Sequence, residues 1–140
     1  NQFWTYPRFV LHVLGHNGYT HYINNMMMIL VIGPPLEEKY GSRPLLYAIC
    51  LTALVSGMVH FLFFPNTALL GASGIVFMMI AMSSLAGMKD GSIPITLILV
   101  LTLYIGGEII NGFVLQDNVS QITHIIGGIC GALLGLSMRK

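Results

Sequence analysis

The chain has 140 residues, of which 55% are hydrophobic and 8% charged, and its mean hydropathy is +0.79. An ordinary soluble domain carries about 25% charged residues, so the composition excludes a water-soluble globule and a disordered tail alike. A net charge of +1 gives no footprint for a nucleic-acid partner, and two cysteines inside apolar stretches give neither a disulfide framework nor a zinc site.

What remains is an all-α, polytopic transmembrane helix bundle whose surroundings are the lipid bilayer. Residues 1–18 are polar and aromatic, with Trp4, Tyr6, Pro7, Arg8, His12 and His16, as expected of a belt at the headgroup level. Five spans follow, roughly 20–38, 44–64, 72–88, 93–113 and 121–138, each near the ~20 residues that cross ~30 Å of hydrocarbon. The first span opens with Thr20, His21, Asn24 and Asn25, placing His21 and Asn25 on one helical face. In the turn that follows, Gly41 can take a positive φ and Pro44 suits the first turn of a helix. The second span passes Ser56, Gly57 and His60 and breaks at Pro65. Gly71-Ala72-Ser73-Gly74 then opens the third span, a small-residue turn from which a serine can present its Oγ while Gly71 and Gly74 admit a close neighbour. The fourth span holds Glu108, and the fifth carries His124 followed by Gly127, Gly131 and Gly135 at intervals of four, a stripe that lets another helix approach closely.

Basic residues fix the orientation. Lys39 and Arg43 lie in the first connection, Lys89 in the third, and Arg139 and Lys140 at the end, whereas the second and fourth connections carry none. These marked segments are therefore cytoplasmic and the chain starts outside. Because no cleavable apolar leader precedes Tyr19, an N-terminal span is expected upstream, and residues 1–140 read as one N-terminally truncated membrane domain.

Orientation supplies a ruler for depth. Ser73 lies 16 residues before Lys89, His124 15 before Arg139, and Asn25 and His21 14 and 18 before Lys39. At ~1.5 Å per residue all four sit roughly 21–27 Å above the inner surface, in one thin layer. The third span is too short to reach the outer surface, so loop 65–71 must dip to meet it, predicting a wet cavity that opens outward and is floored by Ser73. If the glycine face of the last span meets the helix of Ser73, the His124 ring can accept the serine proton, which a hydroxyl nucleophile requires. No carboxylate lies where it could orient the imidazole, since Asp117 is in the outer loop and Asp90 inside. The expectation is a Ser73–His124 dyad, with His21, Asn25 and the Ser73 amide hydrogen-bonding an oxyanion.

On these residues the chain resembles the rhomboid family of intramembrane serine proteases. The resemblance rests on His12, His16, His21 and Asn25 in a His-x3-His-x4-His-x3-Asn pattern, on Gly71-Ala72-Ser73-Gly74, and on His124, Gly127 and Gly131 in a His-x2-Gly-x3-Gly helix. It implies a six-helix core of which five spans are present, Ser73 as nucleophile, His124 as general base and acid, and the oxyanion site just described, with His16 in support. It also implies that Arg8 belongs to an outer loop lying in the membrane face, where Pro7 replaces the usual tryptophan. Phe77 stands where many members have a tyrosine supporting the histidine ring, and a phenyl group stacks without hydrogen-bonding. Phe113, Val114 and Leu115 resemble the end of a movable gate.

The activity so implied is hydrolysis of peptide bonds in or beside transmembrane segments of other membrane proteins, with no metal and no organic cofactor. The expected location is a bacterial plasma membrane, with the active site toward the outer face. Two other readings stand beside it. One is an inactive relative that binds membrane-protein clients, which would typically have lost the serine or histidine. The other is a metal site or ion path through His12, His16, His21, His60 and His124.

Overall fold

The computed structural model of the chain describes residues 5–90 and 118–138, together with isolated positions between 95 and 110. The described elements are α1 (Thr5–Leu11), a 3-10 turn (His12–Leu14), α2 (Tyr19–Tyr40), α3 (Ser42–Phe63), α4 (Ser73–Asp90) and α5 (Asn118–Ser137), with no strand among the described residues. The all-helical bundle follows the sequence expectation, and four predicted spans appear within three residues of their expected ends. The fourth, residues 93–113, with Glu108 and the gate residues Phe113, Val114 and Leu115, lies largely or wholly outside the described residues.

One residue joins α2 to α3. Gly41 has φ +90°, a left-handed value that a Cβ would resist, and its N–H donates to Glu37 O at 2.8 Å. Ser42 Oγ then donates to Glu37 Oε1 at 2.6 Å, tying the turn. At the same inner end the Lys39 ammonium donates to Ala86 O at 2.7 Å, near the C-terminal end of α4, where the helix dipole favours a cation. Lys39 therefore sits close to the level of Lys89, which is what the depth ruler assumed.

Among the described residues α3 is the helix long and apolar enough, by length and composition alone, to cross a membrane; Ser73–Ala86 and Gln121–Ser137 are shorter apolar stretches. α2 has the length, but its ends carry Thr20, Asn24 and Asn25 on one side and Glu37, Glu38 and Lys39 on the other. Between the helix ends, the outward faces of the described helices are largely apolar. On α5, Ile125, Ile129, Leu133 and Leu136 are all more than half exposed, and Met27, Leu30, Leu46, Leu62 and Phe63 are similarly bare. Such continuous apolar surface is untenable in water and ordinary against lipid.

The centre of the bundle is α4. It touches α2, α3 and, most extensively, α5, and an apolar residue on every side is what such a position demands. Val76, Met78 and Met82 are wholly buried, packed with Met28, Ile32 and Leu36 of α2 and Ala48 of α3. The contact with α5 is backbone to backbone. A Cβ on Gly127 would fall on the Gly74 carbonyl, one on Gly131 on the Met78 carbonyl, and one on Gly135 would come within 2.9 Å of Leu85 Cδ1. Gly128, on the other side, has nothing within 4 Å.

α1 owes its helix to the same device. Seven residues are too few to be helical alone, but the Phe9 backbone lies where a Cβ on Gly57 would be, so α1 rests directly on α3. The Phe9 ring meets Phe61 edge-on at 5.3 Å.

These contacts separate two neighbouring glycines. Gly131→Val should lower stability by about 1–3 kcal/mol through forced displacement of α4, whereas Gly128→Ala should leave it unchanged. Thermal unfolding in detergent checks this, and equal effects of the two substitutions would contradict the packing.

Candidate active site

The loop that follows α3 turns into α4 through Gly71, whose φ of +117° again selects glycine. The lack of a side chain there has a second reason. A Cβ on Gly71 would stand 2.8 Å from His21 Cε1, 3.0 Å from His21 Nε2 and 3.9 Å from Asn25 Nδ2. His21 and Asn25 of α2 therefore close on the backbone two residues before Ser73. Ser73 is the first residue of α4 and is buried, and its position in the first turn leaves its amide without an intrahelical acceptor. Asn25 is completely buried.

From the other side comes α5. Phe77, one turn below Ser73 on α4, stacks on the His124 ring with centroids 4.3 Å apart and planes 12° from parallel. The imidazole is thus held on the α4 face that also carries Ser73, at the level where Gly127 meets Gly74. A Cβ on Gly74 would lie 2.8 Å from Thr123 Cγ2 and 3.6 Å from Ser56 Oγ. His21, Asn25, Gly71, Ser73, Gly74, Phe77, His124 and Gly127 are in this way gathered around one helix terminus. Gly131 packs one turn further down, and His16 stands at the edge of the group, its ring 5.2 Å from His21 in a T-shaped contact and its Nδ1–H donating to Leu14 O at 3.3 Å.

Three features were not read from the sequence. Thr123 and Ser56, both buried, flank Gly74, and the signal for each was adjacency, to His124 and to Gly57. His12, a member of the histidine pattern in the polar entry segment, carries no assigned role from the sequence, yet it straps the assembly together. Its Nε2–H donates to Ala53 O in α3 at 3.0 Å, and its carbonyl accepts from the amides of both Gly15 and Gly71 at 3.1 Å. That fixes the loop immediately ahead of Ser73. The third feature concerns the cavity. One of about 620 Å³ lies between α1, the end of α3 and loop 65–70, and neither Ser73 nor His124 lines it, so this cavity is not the Ser73-floored one expected. One of its walls is the N-terminal segment, because α1, unforeseen as a helix, lies against α3.

Helices with bare apolar flanks around a buried polar layer define a membrane-embedded helical domain. Compared with known proteins, the chain matches the Rhomboid domain family over residues 1–140 and belongs to it. It is similar to Rhomboid-like protein 11, chloroplastic, of Arabidopsis thaliana, with 27% identity over 148 residues covering 95% of this chain and 52% of the relative. Rhomboid-related protein 1 of Caenorhabditis elegans is 30% identical over 138 residues, 91% of this chain and 38% of the relative. Rhomboid-related protein 2 of Mus musculus is 26% identical over 144 residues, 94% and 47%. The chain thus spans about half or less of these relatives. No solved structure gives a significant match. The family is membrane-embedded, includes serine proteases and acts on membrane proteins within the bilayer.

His12 makes the strap sensitive to pH. Burial pushes its imidazole below the ordinary value of 6.5, against the Ala53 hydrogen bond and with help from His60. The folded state therefore holds the neutral ring, and the stability this contributes is full above pH 6.5 and lost as pH falls through the depressed value. Hydrogen-exchange protection of the Gly15 and Gly71 amides should drop on acidification below pH 6.5 and become pH-independent in His12→Asn. Protection that holds constant in the wild type would contradict the strap.

Proposed function

We propose that this chain is the membrane domain of a serine endopeptidase that cuts transmembrane segments of other membrane proteins. The observation that carries the reading is the convergence on the α4 terminus, where His124 stacks on Phe77 beside Ser73 while His21 and Asn25 close on Gly71.

In this reading His124 accepts the proton as Ser73 Oγ attacks the scissile carbonyl. The tetrahedral oxyanion takes hydrogen bonds from the Ser73 N–H, free in the first turn of its helix, and from His21 and Asn25. The same imidazole, now charged and lying on the Phe77 face, delivers its proton to the departing amine, and water admitted from outside hydrolyses the acyl-enzyme. Gly71 and Gly74 keep side chains out of the turn where the substrate backbone must approach. Phe77 orients the ring by stacking alone, and His16 supports it indirectly by bracing His21. Substrate helices must unwind locally to offer a carbonyl, which favours small or helix-weakening residues near the cut. No metal or organic cofactor takes part.

The location proposed is a bacterial plasma membrane with the site toward the outer face. Its support is the asymmetry of Lys39, Arg43 and Lys89, which specifies the side of the membrane.

Reconstituted with a single-span reporter, the protein should cleave it, and Ser73→Ala or His124→Ala should each abolish cleavage. His21→Ala or Asn25→Ala should lower turnover by about two to three orders of magnitude with folding intact. Cleavage surviving the loss of both Ser73 and His124 would overturn the hydrolase. A folded wild type that binds the reporter without cutting it would assign the chain to client binding.

A further inference from the structure

Arg8 is the one lysine or arginine on the outer side of the sequence, since the other five, Lys39, Arg43, Lys89, Arg139 and Lys140, all mark the inner side. It sits on α1, exposed, and lines the 620 Å³ cavity together with His60, Thr67, Phe9, Phe61 and Leu70. The cavity's size is that of a site for a small ligand.

Its polar groups are differently committed. Thr67 Oγ1 gives its proton to Phe64 O at 3.0 Å and so accepts from His60 Nε2–H at 2.9 Å, leaving this pair satisfied. Among the described residues no carboxylate stands beside Arg8. Glu37 and Glu38 lie at the opposite end of the bundle, as does the α4 end that carries Asp90, while Glu108 and Asp117 fall outside the described residues. The apolar walls are open as well. Phe61 and Leu70 are 51% and 47% exposed, continuous with the bare Leu62 and Phe63 that lipid must cover.

A cation beside an apolar trough, on a segment bearing Tyr6 at the headgroup level, matches one ligand chemistry: a phosphate with hydrocarbon attached. We propose that this cavity binds a phospholipid of the outer leaflet, its phosphate paired with the Arg8 guanidinium and the start of an acyl chain on Phe9, Phe61 and Leu70. Arginine suits the role because its planar fork meets phosphate oxygens two at a time. The lipid would prop loop 65–70, which runs directly into Gly71, so the state of the bilayer reaches the α4 terminus through this contact. The site is separate from Ser73 and does not depend on any hydrolytic activity.

The full chain, delipidated in detergent, is titrated with dioleoylphosphatidylglycerol and binding is read by native mass spectrometry, with no turnover involved. Dioleoylglycerol, which lacks the phosphate, and inorganic phosphate are the comparison ligands. The phospholipid should bind saturably, both comparison ligands should bind far more weakly, and Arg8→Gln should weaken phospholipid binding about tenfold. Arg8→Lys should retain more of the affinity than Arg8→Gln, and Ala68→Trp, which fills the cavity from the loop while keeping the charge, should abolish binding. Unaltered affinity in folded Arg8→Gln, or equally tight binding of dioleoylglycerol, would overturn the proposal. So would inorganic phosphate that binds equally well and displaces the lipid, or a single-span substrate peptide that takes the cavity in its place.

Discussion

The arrangement depends on two helix backbones being able to touch. Where α5 crosses α4, Gly127 lies against the Gly74 carbonyl and Gly131 against that of Met78, with no side chain between them. Inside a bilayer no hydrophobic gain drives helices together, because lipid is as apolar as leucine, so close van der Waals contact over small residues must do it. At this distance the residue three places before Gly127 has little freedom. His124 lies flat on Phe77, and a ring so placed is on the α4 face that begins with Ser73.

The opposite wall is set by a different constraint. Gly71 takes a left-handed conformation that lets the chain enter α4 steeply, and the space its missing Cβ leaves is filled by His21 and Asn25. His12 fastens the same glycine from above, through a carbonyl shared between Gly15 and Gly71. A short helix at the start of the chain is therefore mechanically connected to the turn holding the serine. The connection runs through backbone hydrogen bonds and one buried imidazole. On the proposed lipid contact, the bilayer would act on α1 through Arg8 and the exposed apolar rim of its cavity, and so on a buried turn.

Much of this was legible in the sequence, for identifiable reasons. The glycine spacing in α5, the polar opening of α2 and the isolated basic residues each report a one-dimensional property, periodicity or depth, that a membrane converts directly into position. That is why the sequence alone assigns His21, Asn25, Ser73 and His124 to one layer, and why Lys39 lies beside Ala86 near the inner end of α4. Helix α1 was not legible. It has seven residues, a proline in its first turn and no pattern long enough to read, and it is helical because Gly57 of a distant segment gives it a flat surface to lie on. Without that helix neither the role of His12 nor the cavity between α1 and α3 could be foreseen. A tertiary contact leaves no local trace in composition.

Because Ser73 and His124 come from separate helices, their cooperation can be tested through the packing that joins them. The most direct measurement is the rate at which a fluorophosphonate modifies Ser73, located by peptide mass spectrometry, in wild type, His124→Ala and Gly127→Val. The account predicts adduct at Ser73 in the wild type and little or none in either variant, since one lacks the base and the other displaces it. Modification of Ser73 at the wild-type rate in folded His124→Ala, or adduct only at other serines, would contradict it.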